Sequence, residues 1–471
     1  MTNQSQRPGL VLGIASLAAF MASLDVFIVN VAFDAIGQDF TGASLSQLSW
    51  VLSAYAIVYA ALLVPAGRIA DRYGRKGGFL AGLALFTVAS AACAASPGVW
   101  WLVAFRVAQA AGAALLTPAS LGLVVAATPL VDRQRAVRIW AATGALAAAL
   151  GPAVGGVLVE ASWRWVFLVN IPVGIAAIVG TIVWIPTSRD ESVTRIPDVL
   201  GAVLLAAGIG ALTLGLVKGP EWGWTDGRTD AAWLLTVVCV AGFVASSARH
   251  GSPVISPALL RVRAFRWSNV TALLFAVPFA GALLTNILWM QLVWHFSAIK
   301  TGFAIAPGPL MVPIFAAVAH RSAKRIPIGY LVSAGCMLFA LGGIVTLSLV
   351  GPVPNYATEI LPGWLIGGAG VGLALPAILS SATADLPPAQ AATGSAVVNM
   401  SRQIGTALGV SVVVAVIGNP VGYEAAHTAF QRGWWALAAV ALLGAVAAPA
   451  MTPAGVAEPV AAIPDAVAVS A

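Results

Sequence analysis

Charge is what this sequence has least of. Only 9% of its 471 residues are Asp, Glu, Lys or Arg, against about 25% in a soluble globular protein. The mean hydropathy is +0.93 and 60% of residues are hydrophobic, so a water-soluble globule is excluded. Cysteine is nearly absent. Cys93, Cys239 and Cys336 each stand inside an apolar run. With no C-x-x-C pair there is no disulfide framework, and the three read as small packing residues. The four histidines (His250, His295, His320, His427) have no metal-ligand spacing, so a metal-dependent membrane enzyme has no constellation to work with. No metal, cofactor or enzymatic activity is expected. No G-x-x-x-x-G-K-[ST] occurs, which argues against ATP drive. A net charge of +7 raises nucleic acid as a partner. The bases come in short clusters between apolar runs and form no continuous patch, which excludes it.

Long hydrophobic runs take the place of all this. Fourteen are of membrane-spanning length, about 20 residues: 10–32, 48–66, 78–95, 99–126, 137–159, 166–186, 198–217, 231–248, 267–292, 302–320, 327–350, 361–384, 394–417 and 433–452. The first follows about nine polar residues. It is too long for a removed signal peptide and lacks a cleavage site. The expected class is an all-α polytopic membrane protein.

The bases set its orientation. Of the 24 Lys and Arg, seventeen fall in alternate connections that share one side, including Arg7, Arg189 and Arg195. Five (Arg164, Lys218, Arg228, Lys300, Arg432) fall on the other, and Arg106 and Arg402 lie within spans. The positive-inside rule then puts both termini in the cytosol. Trp50, Trp100, Trp101, Trp163, Trp165, Trp233, Trp294, Trp364, Trp434 and Trp435 gather at the outer ends of spans and read as an interfacial aromatic belt. Residues 256–266 alternate apolar and basic and read as a surface segment on anionic lipid. The Ala/Pro/Val-rich stretch from 453 to 471 reads as a disordered tail.

The chain also repeats itself. Gly112, Pro118 and Gly151 recur as Gly370, Pro376 and Gly409, each 258 positions later. Arg68-Ile69-Ala70-Asp71-Arg72 has a degraded copy at Arg321-Ser322-Ala323-Lys324-Arg325, 253 positions on. Two related halves follow, with spans 7 and 8 inserted between them. The expected division is 1–190, 191–250, 251–452 and the tail.

The densest charge lies between spans 2 and 3, in Gly67-Arg68-Ile69-Ala70-Asp71-Arg72-Tyr73-Gly74-Arg75-Lys76. The stretch resembles the loop motif between helices 2 and 3 of the major facilitator superfamily of transporters, with every position filled. The resemblance implies two six-helix bundles and a gating loop of Gly67, Arg68, Asp71, Arg72, Gly74, Arg75 and Lys76. A plain cytosolic anchor is the alternative. Leu24-Asp25-Val26-Phe27-Ile28-Val29-Asn30 in span 1 resembles the helix-1 signature of the superfamily's 14-helix drug:proton antiporter branch, which carries such a mid-chain insertion. Phe105-Arg106-Val107-Ala108-Gln109 resembles the helix-4 motif, whose arginine is implicated in proton coupling. Gly144, Gly151, Pro152, Gly155 and Gly156 in span 5 resemble the antiporter motif largely confined to exporters, with close helix packing as the alternative.

Depth supports a pair. Asp25 lies about seven residues before the outer end of span 1, and Arg106 about seven after the outer end of span 4. A carboxylate in that setting is costly unless paired or protonated, so Asp25 and Arg106 are the expected proton-coupling residues, with a structural ion pair as the alternative. Phe27, Asn30, Tyr55, Gln109, Asn286, Trp289 and Met290 are the expected lining of a substrate cavity, and Arg402 an interdomain residue near Asp71. Spans 9–14 hold no deep acid, which puts a dication substrate in doubt. The function implied is a monomeric, proton-coupled exporter of amphipathic small molecules in the cytoplasmic membrane. The alternative is a lipid or metabolite translocator without strict proton coupling.

Overall fold

Inside a hydrocarbon layer a peptide group has no water to bond, so long apolar runs satisfy their hydrogen bonds locally, as helices. The computed structural model describes residues 8–129, 131–186, 197–418 and 420–453. The expected tail therefore lies outside the described residues apart from its first position, as do Arg7, Arg189 and Arg195. Among the described residues there is no strand, and fourteen helices are long and apolar enough to cross a membrane. They are α1 (Pro8–Val31), α2 (Leu45–Tyr73), α3 (Arg75–Ala94), α4 (Val99–Ala127), α5 (Arg135–Ala161), α6 (Trp165–Trp184), α7 (Val199–Trp222), α8 (Gly227–Arg249), α9 (Arg263–Val293), α10 (Ala298–Ser322), α11 (Ile328–Leu349), α12 (Leu361–Ala384), α13 (Thr393–Ile417) and α14 (Tyr423–Met451).

Packing repeats as the sequence does. In the first half α1 lies against α4, α5 and α6, α2 against α4, and α3 against α4 and α6. In the second α9 lies against α12, α13 and α14, α10 against α12, and α11 against α12 and α14. The same positions make the crossings tight. A Cβ on Gly112 would stand 2.6 Å from the Phe86 amide nitrogen, and one on Gly370 2.5 Å from the Gly335 carbonyl oxygen. Only glycine lets these backbones approach so closely. The halves meet symmetrically too, through α2 on α13 and α5 on α10. α7 packs against both α2 and α13, whereas α8 rests on α7.

The structure corrects several expectations. The motif at 67–76 is not a loop. Gly67 to Tyr73 complete α2 and Arg75 opens α3, so Gly74 alone breaks the chain, at φ 119°. Helices outrun the apolar run that marks them, because polar residues past the membrane keep bonding down the ladder. α14 does the same, starting ten residues before its expected first position. The tryptophans divide. Trp100, Trp101, Trp165 and Trp435 are exposed, as a belt requires, but Trp163, Trp294, Trp364 and Trp434 are buried. The indole N–H of each buried one donates to a protein acceptor. The 256–266 segment is not a free surface strip either. α9 begins at Arg263, and Val254, Leu259 and Phe265 are buried against Leu386, Val397 and Met400.

Candidate functional site

Asp25 and Arg106 meet. Both side chains are wholly buried, and Arg106 Nη1 donates to Asp25 Oδ2 in an ion pair between α1 and α4. The other carboxylate oxygen accepts from Gln109 Nε2 at 2.8 Å and from Asn170 Nδ2, on α6, at 3.1 Å. Gln109 also accepts from Arg106 Nη1 at 2.7 Å and donates to Ser90 Oγ, on α3, at 2.8 Å. Arg106 Nε donates to the Val51 carbonyl of α2 at 3.2 Å, and its guanidinium lies 4.1 Å from the Tyr55 ring centroid. Five helices thus converge on one carboxylate that is served by three donors. A buried ion pair is tolerable only when its remaining hydrogen-bonding capacity is met in this way.

Asn170, Ser90 and the Val51 carbonyl went unnoticed in the sequence. The depth rule that pairs Asp25 with Arg106 finds the two side chains as well. Ser90 lies five residues before the outer end of the third apolar run, and Asn170 four residues after the start of the sixth.

The expected cavity residues are mostly packed. Tyr55 and Gln109 belong to the Asp25 cluster, and Trp289, Met290 and Asn286 are buried in the second half. Trp289 packs edge-on against Phe430 and Tyr423, and Asn286 Oδ1 accepts from Trp434. Asn30 turns back on its own helix, donating to the Val26 carbonyl at 2.8 Å. Only Phe27 is partly exposed. Aromatic and amide residues at these depths suit a cavity and a core equally, so residue type alone could not separate the two.

The glycines of α5 are contact points. A Cβ on Gly151 would stand 2.6 Å from Phe27 Cβ, one on Gly155 2.9 Å from Ile28, and one on Gly156 2.6 Å from the Ala298 carbonyl oxygen of α10. Across that seam a Cβ on Gly302 would stand 2.2 Å from the Pro152 carbonyl oxygen. Gly144 is loose, since a Cβ there would meet only Ser23 Oγ, at 3.8 Å. At the same end, Gln291 of α9 donates to the Val31 carbonyl of α1 at 3.1 Å. The halves are therefore joined at the end remote from Gly74.

At the Gly74 end, Asp71 accepts from Arg75 Nε at 2.7 Å, and Arg68 donates to Ser252 Oγ, between α8 and α9. The motif is thus tied to the connection that follows the insertion. Arg402, expected near Asp71, donates from Nη1 to Asn399 Oδ1 at 2.9 Å, on the helix that begins at Pro388.

The family model for the Major Facilitator Superfamily matches residues 15–410. The methylenomycin A resistance protein of Streptomyces coelicolor is 31% identical over 399 residues, covering 84% of this chain and 83% of that protein. The tetracenomycin C resistance and export protein of Streptomyces glaucescens is 32% identical over 425 residues, covering 88% and 77%. Among solved structures, a POT family transporter in complex with 5-aminolevulinic acid superposes with a TM-score of 0.67 over 94% of this chain and 96% of its own, at 17% identity, a likeness of fold alone. With twelve spanning helices in two matched bundles, two more between them, and this family match along most of its length, the chain belongs to the major facilitator superfamily and is a multi-pass membrane transporter.

Proposed function

We propose that the chain is a proton-coupled antiporter that exports amphipathic small molecules across the cytoplasmic membrane by alternating access. Relatives named for antibiotic resistance and export support the direction of transport. The observation that carries the coupling is Asp25. It is the one acid of the chain set deep in a span, and it is held by Arg106, Gln109 and Asn170. A rearrangement that draws Arg106 away leaves burial to dominate, and the carboxylate then takes up a proton. Return of Arg106 expels it. Proton entry from outside is thereby tied to substrate exit, with both termini in the cytosol. One proton crossing ~150 mV releases ~3.5 kcal/mol, scaled from about 2.3 kcal/mol per 100 mV. That sustains a gradient of a few hundredfold in a neutral substrate, since 1.4 kcal/mol is tenfold.

In this reading the two bundles, taken at 1–190 and 251–452, rock about the seam where Gly156 and Gly302 sit. The residues from Gly67 to Lys76 act as the gate at the cytosolic end. The Asp71–Arg75 pair is remade in each cycle, so Asp71→Asn slows exchange more than it weakens binding. Strongly weakened binding with normal exchange would count against the gate. The central test is Asp25→Asn in proteoliposomes. It abolishes uphill, pH-driven accumulation and leaves downhill exchange measurable. Continued uphill transport would place the proton site elsewhere.

A further inference from the structure

Arg402 is a partly buried cation with no acid paired to it among the described residues. It stands 14 residues into the helix that starts at Pro388 and 15 before its end at Ile417. Within the spanning part, Thr393–Ile417, it lies about 13 Å from one end and about 22 Å from the other at ~1.5 Å per residue, inside the membrane. Among the described residues its side chain donates to the neutral Asn399. A charge at that depth is costly and normally finds a partner or a water-filled cavity. The nearby charges are already spent: Asp25 is matched by Arg106, and spans 9–14 contribute no deep acid.

The face around Arg402 is built for a polar guest. Ser395, Asn399, Arg402 and Thr406 follow one another at helical spacing and are all partly accessible. Their own bonds run along the helix, to the Ser395 and Arg402 carbonyls. No residue of 393–417 is fully exposed, because α13 is packed among α2, α7, α9, α12 and α14. The stripe therefore lies on a helix enclosed by its neighbours. Across from it, Tyr59 on α2 lies within electrostatic reach of Arg402. Tyr59 is at the middle of its own helix and bonds Thr117 Oγ1 at 3.2 Å. Its ring stacks on Tyr55 at 6.0 Å between centroids, and Tyr55 lies under Arg106. The Arg402 site is thus two stacked rings away from the Asp25 carboxylate.

We propose that Arg402, with Asn399 and Tyr59 beside it, docks the carboxylate of an anionic amphiphile, so that the exported substrates are organic acids. This deepens the export reading and rests on it. A guanidinium presents a planar fork of N–H donors that matches a carboxylate, and the aromatic wall suits the apolar remainder of such a molecule. The site would lose its attraction for an isosteric neutral amide and would repel an amine.

The test uses 4-(pyren-1-yl)butyrate, its primary amide and the matching amine, with the full chain in nanodiscs. Binding is read as quenching of tryptophan fluorescence, with empty nanodiscs subtracted. The wild type is expected to bind the acid about tenfold or more tighter than the amide, the scale of a hydrogen bond to a charged group. Arg402→Gln should erase that preference, leaving amide binding within about twofold, and Arg402→Lys should restore part of it. Equal binding of acid and amide by the wild type overturns the proposal, even if Arg402→Gln does not fold. So does an acid preference that survives in folded Arg402→Gln. Loss of uphill transport in Asp25→Asn is read separately, so coupling and docking fail independently.

Discussion

The two halves share a framework and differ in what fills it. By the repeat, Arg106 corresponds to Trp364, Ser90 to Gly343 and Gln109 to Gly367. Gly151 rests on Phe27 as Gly409 rests on Val277, which sets Phe275 where Asp25 stands. The first half builds an ion pair and its hydrogen bonds at this place. The second builds aromatic packing, with Phe275 edge-on to Phe339, around a small void of about 20 Å³ bordered by Phe339, Gly343, Trp364 and Gly367. A charged network has an energy that depends on proton occupancy, and an aromatic plug does not. In the proposed cycle the first half would sense the proton, and the second would serve as a passive lever. The same asymmetry runs through the Gly74 motif, whose copy has Lys324 where Asp71 stands and lies exposed at the end of α10.

The sharpest way to break this comparison is to remove matched residues. Arg106→Gln leaves Asp25 buried without its cation, a loss of about 3–5 kcal/mol, which Asp25→Asn in the same chain should largely recover. Trp364→Phe removes an indole donor at 2.7 Å from the Ile305 carbonyl and should cost about 1–3 kcal/mol. Unfolding in detergent, followed by tryptophan fluorescence, gives the order. A larger loss at Trp364 than at Arg106 would mean that the two halves do not differ in kind.

Equal effects are expected where the halves agree. Gly112→Ala and Gly370→Ala each press a methyl group onto backbone, and each should cost about 1–3 kcal/mol through overpacking. Gly144→Ala meets nothing closer than 3.8 Å and should be tolerated, with a melting temperature close to that of the parent. Unequal losses at Gly112 and Gly370 would show that one crossing carries strain the other does not.

Most of the helix number and the charged pair were legible in the sequence, because both follow from burial. Apolar length reports a span, and an isolated Asp25 and Arg106 at one depth report each other. The halves were legible because Gly112 and Gly370 cannot be replaced where backbones touch. Helix ends were not, since Asp71 and Glu424 sit on helices that continue past the apolar run. Cavity lining was not either. Trp289 and Asn286 have the chemistry of a binding surface, and only three-dimensional packing reveals that Phe430 and Trp434 already occupy their faces.

The smallest effect belongs to the end remote from Gly74, where the halves differ again. In the first half Asp39 accepts from the Trp163 indole at 2.9 Å and from Arg164 at 2.7 Å. At the corresponding place in the second half stands Val421, 91% exposed. The Trp163 N–H, and after it Arg164, hold the Asp39 carboxyl below its ordinary value of 3.8. A carboxyl whose folded value is depressed adds stability above its unfolded value, and that stability is lost as pH falls through the lowered one. The clamp therefore holds at neutral pH and fades only below about pH 4. Because Asp39 and Arg164 are largely open to water, the gain is about 0.2–1 kcal/mol, as for exposed ion pairs. Asp39→Asn should lower the melting temperature slightly at pH 7 and progressively less as pH falls below about 4, with salt shrinking the difference at pH 7. A deficit as large at pH 3 as at pH 7 would assign the effect to the packing of Phe40 on Trp163, whose rings lie 5.5 Å apart, and not to the charge on Asp39.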